Sequence, residues 1–329
     1  MKDKKQGRRR SFIKKLGSGL VAAPFIPNLL SGTDHQTETL EYLRQFEGAN
    51  ERIGLACIGM GIQGFSDTNT ALKVPGVELV AVCDLYDGRL ERAREVYGND
   101  LITTKDYRQI LDRSDVDAII IATPDHWHDR ITIDALNKGK HVYCEKPMVH
   151  QIEEGKAVLE AEQKSGKVLC VGSQRVSSIL LEKAKELYER GDIGDLNLVE
   201  TYYDRHSAIG AWQYSIPTDA SPQTVDWDRF LGDAPKVPFD ATRFFRWRNY
   251  QDYGTGVGGD LFVHLFSGLH LITNSLGPSR IFSTGGLYYW NDGRDVPDVS
   301  KYESEIPERH TINDSTFVMG DNFLTKNKQ

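Results

Sequence analysis

Ile53-Gly54-Leu55-Ala56-Cys57-Ile58-Gly59-Met60-Gly61-Ile62-Gln63-Gly64 is the stretch on which the fold turns. Its first six residues are the kind of short apolar run that a strand buried on both faces requires. Three glycines follow at positions 59, 61 and 64, and a helix-compatible stretch then reaches about Val74. A second apolar run, Val77–Cys83, ends on Asp84, twenty positions beyond Gly64. Strand, glycine turn, helix, strand and carboxylate in this order have a mechanical meaning. Gly59 allows a tight turn, Gly61 lets the backbone approach a pyrophosphate, and Gly64 lets the helix pack on the sheet. The helix start, with Ile62 and Gln63, presents free N–H groups to the phosphates. Asp84 stands where such a fold sets a carboxylate on the adenine ribose. A carboxylate accepts from a ribose hydroxyl but repels a phosphate there, by about 4 kcal/mol per charge pair near a surface. The cofactor expected is therefore NAD rather than NADP, with Arg89, five positions on, as the residue that softens the preference.

The alternation continues. Arg89–Tyr97 reads as an amphipathic helix. Asp117–Ala122 reads as a strand that ends in Thr123-Pro124-Asp125-His126-Trp127-His128, and a further helix runs to about Lys138. The next strand, His141-Val142-Tyr143-Cys144, runs straight into Glu145-Lys146-Pro147, an unusual place for a charge. Ligands of such sheets lie beyond the carboxyl ends of the strands. Thr123, Pro124, Asp125 and Lys146 are expected to line one crevice, with His126, His128 and Glu145 as further cofactor contacts. A metal is not expected, because two histidines two apart diverge at a helix start and no third ligand is near.

With 329 residues the chain is long enough for two domains, and its net charge of -7 argues against a nucleic-acid partner. The four cysteines, Cys57, Cys83, Cys144 and Cys170, fall in or at the end of strand-like runs and read as small buried hydrophobes. Residues 1–49 read as a targeting segment and linker. Lysines and Arg8-Arg9-Arg10-Ser11-Phe12-Ile13-Lys14-Lys15 precede a short apolar stretch, Leu16–Leu30, broken by Pro24 and Pro27. That stretch is too short to span a bilayer, which needs about 20 apolar residues. Its layout resembles a twin-arginine export signal, with Arg8 where Ser or Thr is usual. Export by that route would place the protein in the periplasm or otherwise outside the cytoplasm. A nicotinamide enzyme there would have to carry its cofactor with it.

Taken together, the glycine motif, Asp84, Ala122-Thr123-Pro124-Asp125-His126-Trp127-His128 and Glu145-Lys146-Pro147 resemble the Gfo/Idh/MocA family, over about residues 50 to 290. The resemblance implies an α/β protein with an N-terminal Rossmann domain, 50–172, and a C-terminal α/β domain, 173–290, built on an open, mostly antiparallel sheet. It implies that Lys146 lies by the nicotinamide and substrate and that the Lys146–Pro147 bond is cis.

In the second half, Leu196–Tyr203 reads as the first strand of a second sheet. The irregular stretch Ser207–Tyr250 offers Trp212, Trp247 and Arg248 as residues that could stack on or grip a sugar. Gly254-Thr255-Gly256-Val257-Gly258-Gly259 then opens a helix expected to run from Asp260 to about Leu276. Asp260 and His264, four apart, fall on one helix face, opposite an apolar face that includes Leu265 and Leu269. From pattern alone that stripe reads equally well as solvated. The resemblance implies that Asp260 and His264 are catalytic partners of Lys146, and that Ser267 replaces a further Asp found in many members. Arg280–Trp290 reads as an aromatic strand, and 291–329 as a polar tail without a clear strand, shorter than the family pattern, which would leave that strand as an exposed aromatic edge.

The expected activity is NAD-dependent oxidation and reduction of a sugar or polyol hydroxyl. His264 would serve as base, Lys146 would hold the substrate oxygen, and Asp260 would orient His264 or a neighbouring hydroxyl. Two alternatives stand beside it: a glycosidase that uses bound NAD with no net redox change, and a truncated NAD-binding remnant without catalysis. A homo-oligomer is compatible with either activity.

Overall fold

The computed structural model describes residues 52–306, with Asn197, Asp204 and His206 left out, and residues 315–320. The expected export segment, residues 1–49, lies outside the described residues. The chain divides into two compact units. The first runs to Gly172 and takes in Asp219–Phe239; the second comprises Ser173–Thr218 and the residues from Asp240 onward.

The first unit alternates strand and helix: β1 (Ile53–Ile58), α1 (Ile62–Ala71), β2 (Val77–Cys83), α2 (Asp87–Tyr97), β3 (Ile102–Thr104), β4 (Ala118–Ile121), α3 (His128–Asn137), β5 (His141–Glu145), α4 (Glu154–Ser165) and β6 (Leu169–Gly172). The six strands form one sheet in the order β3-β2-β1-β4-β5-β6, and every pair is parallel. All six residues of β1 are buried, as a central strand covered by helices on both faces demands. Alternate residues of β4 serve opposite layers: Ile119 and Ile121 pack with Ile131 and Leu136 of α3, while Ala118 and Ile120 pack with Leu90 and Ala93 of α2. Successive strands run outward in opposite directions from β1 and β4. The carboxyl ends of these two strands therefore flank the crevice where such sheets take ligands.

Sequence reading placed Asp219–Phe239 in the substrate domain; it belongs with the first unit. Tyr86 and Val225 form an antiparallel bridge. The Asp226 N–H donates to the Leu85 carbonyl at 2.9 Å, and the Tyr86 hydroxyl donates to Asp219 at 2.7 Å. The segment is thus tied back to the turn after β2. Nothing in its loop-like composition signals that.

The second unit contains α5 (Ile179–Glu189), β7 (Leu198–Tyr202), α6 (Val263–Thr273), β8 (Arg280–Gly286), β9 (Val299–Ile306) and β10 (Ser315–Gly320). Its sheet order is β7-β10-β9-β8; β9 is antiparallel to both neighbours and β10 is parallel to β7. Two of these strands fall in the stretch read as a strandless tail. The reason is visible in β9, Val-Ser-Lys-Tyr-Glu-Ser-Glu-Ile. That run places two serines and three ionic residues among three apolar or aromatic ones, so the apolar signal of the two-residue period is weak. Tyr302 anchors the strand, its ring edge-on to Phe262 at 4.5 Å. The aromatic strand also ends sooner than expected, at Gly286. Tyr288, Tyr289 and Trp290 lie beyond it, and their N–H groups all donate to the Asp298 carboxylate at 2.9, 2.8 and 2.6 Å. β8 is paired with β9 rather than left alone, although Ile281 and Phe282 on it are exposed.

The helix expected from Asp260 to Leu276 is a π-helical turn, Gly258–Phe262, followed by α6. Asn274 ends it in the left-handed conformation, φ 53°, a usual stop. Leu276 lies beyond that stop and is 89 % exposed, not part of the apolar face.

Because Ile120 is fully buried in an apolar cluster, Ile120→Ala is expected to destabilise the first unit by about 2–5 kcal/mol. Denaturant unfolding checks this, and a loss well under 1 kcal/mol contradicts the packing described.

Candidate active site

The turn after β1 is shaped by two contacts that only glycine permits. Gly59 has φ +94°, and a Cβ there would lie 2.5 Å from the Ala122 carbonyl oxygen at the end of β4; a Cβ on Gly64 would lie 1.9 Å from the Gly59 oxygen. Gly61 differs. A Cβ on it would meet nothing nearer than the Arg89 guanidinium at 3.9 Å. The protein itself does not need that glycine, so the bare backbone is a cradle left for a ligand. It opens α1, whose first turn has no side-chain cap and no acidic residue. Unsatisfied N–H groups and the positive end of the helix dipole therefore face the cradle, and a pyrophosphate fits both. Ile62 is 75 % exposed at this edge, while the Gln63 amide is turned to Asp67 at 2.8 Å.

Asp84 does more than wait for a ribose. Its carboxylate accepts from the Met60 N–H at 2.8 Å and the Tyr86 N–H at 2.9 Å, with Arg89 at 3.5 Å. It ties the glycine turn to the turn after β2. Two backbone donors leave part of its acceptor capacity open.

The turns after β4 and β5 carry the other expected residues. The Lys146–Pro147 peptide is cis, as the resemblance implies. His128 is not a surface contact: it is buried, with Nδ1 2.6 Å from the Pro147 oxygen and Nε2 2.9 Å from the Thr123 oxygen. Both partners only accept, so both ring nitrogens must donate, which is the imidazolium form. Burial alone would pull the ring down, but Cys144, Asp125 and the Pro147 carbonyl together hold it up at about 10. This pairing is present in full below about pH 6.5 and lost as pH rises through about 10. His128 thus joins the Thr123 turn to the Lys146–Pro147 turn. His126 Nε2 and Trp127 Nε1 meet the Phe230 oxygen at 2.8 and 2.9 Å and hold the Asp219–Phe239 segment. Asp125 is buried.

Glu145 is also buried, accepting from the Tyr143 hydroxyl at 3.2 Å. Beside it is a residue the sequence reading missed, Asp67 of α1. Burial, and then the Glu145 charge, push its carboxyl up to about 8, against the Gln63 amide. Asp67 therefore holds a proton at neutral pH. Its only signal in the sequence is its place one turn after Gly64, on the side of α1 that faces the sheet.

In the second unit Asp260 and His264 do not form a solvated stripe. Asp260 is buried; Oδ2 accepts from Trp212 Nε1 and Oδ1 from Arg248 Nε, both at 3.1 Å. Trp212 is 2 % exposed, at φ +61°, and so is a support for Asp260 rather than a platform for a sugar. A backbone in that region costs about 1–3 kcal/mol and persists only where its surroundings enforce it. Arg248 lies 4.2 Å over the half-buried Trp247 ring and covers one of its faces. His264 is stacked on Tyr203, ring centroids 6.4 Å apart and planes at 23°. Tyr203 was not singled out by the sequence reading, although its position just after a strand was the available cue. The Ser267 hydroxyl donates to the Val263 carbonyl at 2.6 Å, so it is turned back to its own helix. Lys146 belongs to the first unit, and Asp260 and His264 to the second.

Residues 53–173 match the Gfo/Idh/MocA family, described as an oxidoreductase family with an NAD-binding Rossmann fold. An inositol 2-dehydrogenase of Salmonella typhimurium is 31% identical over 170 residues, 51% of this chain and 48% of its own length. An alpha-N-acetylgalactosaminidase of Shewanella oneidensis is 32% identical over 176 residues, 48% of this chain and 38% of its own. The matches thus span about half or less of these relatives. Among solved structures, an NAD-binding protein from Listeria innocua superposes with a TM-score of 0.60 at 24% identity, covering 83% of this chain and 68% of that one. The similarity to the Gfo/Idh/MocA oxidoreductase family thus rests on residues 53–173, the NAD-binding Rossmann part of the chain.

Two outcomes follow. Gly61→Ala is expected to leave the melting temperature nearly unchanged while weakening NAD binding at least tenfold by calorimetry, whereas Gly64→Ala destabilises the fold itself. Equal effects on both properties in both variants would contradict the cradle. Because folding raises the Asp67 pKa, the folded state binds the extra proton between about pH 4 and about pH 8, and stability falls as pH rises across that window. Asp67→Asn should flatten that part of the pH–melting curve and raise the melting temperature above pH 8; an unchanged slope would count against a protonated Asp67.

Proposed function

We propose that this chain is a member of the Gfo/Idh/MocA family and an exported, NAD-dependent oxidoreductase that acts on a sugar or polyol hydroxyl. The observation that carries the reading is the open Gly61 cradle at the uncapped start of α1, with Asp84 fixed behind it. NAD is preferred over NADP because a 2′-phosphate would meet the Asp84 charge, with Arg89 as the only cation hydrogen-bonded to that carboxylate among the described residues. With the pyrophosphate of the dinucleotide held in the cradle, its nicotinamide would supply hydride acceptance and donation. The remaining chemistry belongs to side chains. His264 takes the proton from the substrate hydroxyl on an imidazole nitrogen. The Lys146 ammonium keeps a positive charge by the oxygen as its own charge develops. Asp260, itself fixed by Trp212 and Arg248, sets the turn from which His264 projects. Export is inferred from the Arg9-Arg10 segment alone. Among the described residues no helix is long and apolar enough to cross a membrane.

A second reading draws on the Shewanella relative: a glycosidase in which the same base and bound NAD work with no net redox change. Release of nitrophenol from nitrophenyl glycosides without added NAD would favour it, and net NADH formation from free sugars favours the first. On either reading His264→Ala should lower turnover by about 10²–10⁴-fold. Lys146→Ala should cripple turnover with NAD still bound. Wild-type turnover in either variant would remove that residue from the mechanism.

A further inference from the structure

The second unit holds a cationic cluster for which the reaction so far has no use. Tyr203, whose ring lies parallel to His264, packs against the apolar group formed by Trp212, Leu261 and Phe262. Two guanidinium groups converge on it. Arg205 lies 4.8 Å from the ring centroid, with Nη2 3.1 Å from the phenol oxygen. Arg175, from the one-turn helix Gln174–Ser177, lies 5.6 Å from the centroid, with Nη2 3.5 Å from the same oxygen. Burial raises the phenol, but the two arginines outweigh it and hold it below its ordinary value.

A guanidinium carries five N–H donors, and a phenol oxygen uses one from each. Among the described residues the rest have no partner. Elsewhere in this unit four arginines meet carboxylates, Arg190 with Glu186 and Asp192, Arg243 with Asp252, Arg248 with Asp260 and Arg294 with Asp292, while Arg246 is matched by the Tyr214 carbonyl and the Gln213 amide oxygen. Among the described residues Arg175 and Arg205 meet none. Two like charges gathered on one neutral phenol repel each other, and the π face and single oxygen of Tyr203 offset only part of that. Arg175 is exposed and Arg205 half-buried, so the remaining donors are accessible from solvent. The missing partner is a planar or tetrahedral oxyanion, the group that guanidinium forks fit best.

We infer that Arg175, Tyr203 and Arg205 form an oxyanion subsite beside His264, and that the substrate is an acidic sugar bearing a carboxylate or phosphate besides the hydroxyl that reacts. This rests on the reading of His264 as the base. It narrows the substrate class from neutral polyols to anionic sugars. Tyr203 acts here as a positioning residue that holds both guanidinium groups in place next to the base.

The test uses the full chain loaded with NAD and three probes: glucose, glucuronate and glucose 6-phosphate. Calorimetry should show one of the two anions binding about ten- to a hundredfold tighter than glucose, the range for charge-assisted hydrogen bonds. Whichever anion wins identifies carboxylate or phosphate as the group recognised. Arg175→Gln with Arg205→Gln should collapse that preference to near unity, and the paired lysine variant should restore part of it. Wild-type protein that binds all three probes equally overturns the inference without recourse to any variant, as does a preference that survives the double glutamine change. His264→Ala separates this result from the proposed mechanism. If it retains turnover, the base assignment fails whatever the anion preference; if it loses turnover and keeps anion binding, both stand.

Discussion

The turn after β1 has to pass within contact distance of the end of β4, and the rest of the first unit depends on that. A side chain at Gly59 would collide with the Ala122 carbonyl, and one at Gly64 would collide with Gly59. Only with both absent can α1 lie close on the sheet with its N-terminus aimed over the carboxyl ends of β1 and β4. The Asp84 carboxylate then fixes the turn by accepting the Met60 N–H. Gly61 is the remainder once these packing demands are met. Its openness is what turns a tight connection into a place for a pyrophosphate.

Buried charge is the second constraint, and each group meets it differently. Asp84 is satisfied by backbone N–H groups, His128 by two carbonyls that require it to stay protonated, and Asp67 by keeping its proton. Asp260 is satisfied by an indole and a guanidinium. An ionised group in a poor environment costs several kcal/mol unless paired or hydrogen-bonded. The positions of these side chains are therefore set within narrow limits. His128 is the clearest case, because one ring links the turns after two neighbouring strands and so sets where Lys146 begins.

Much of this was legible in the chain. The apolar runs at Ile53–Ile58 and Ala118–Ile121 gave the parallel sheet, because strands buried on both faces need unbroken hydrophobic sequence. The glycine spacing and Asp84 gave the cradle, since each glycine answers a separate steric demand. Less legible was the direction side chains take. His126, His128 and Trp212 are polar or aromatic residues near the expected site, yet each turns inward to hold another segment. Partners such as Phe230 for His126 and Asp260 for Trp212 are far away in sequence and invisible to local spacing. β9 escaped because lysine and glutamate residues interrupt its apolar pattern, and Asp219–Phe239 because a returning segment tied on by a few backbone bonds has no compositional mark. Tyr203 was passed over because an aromatic after a strand reads as ordinary core.

The central claim is that the Gly59–Gly64 turn holds a nicotinamide dinucleotide with a preference set by Asp84. Native mass spectrometry of the full chain mixed with equal NADH and NADPH tests it most directly. The account predicts one dinucleotide per chain, with NADH in clear excess. A spectrum showing neither, or showing NADPH bound in preference, would contradict it.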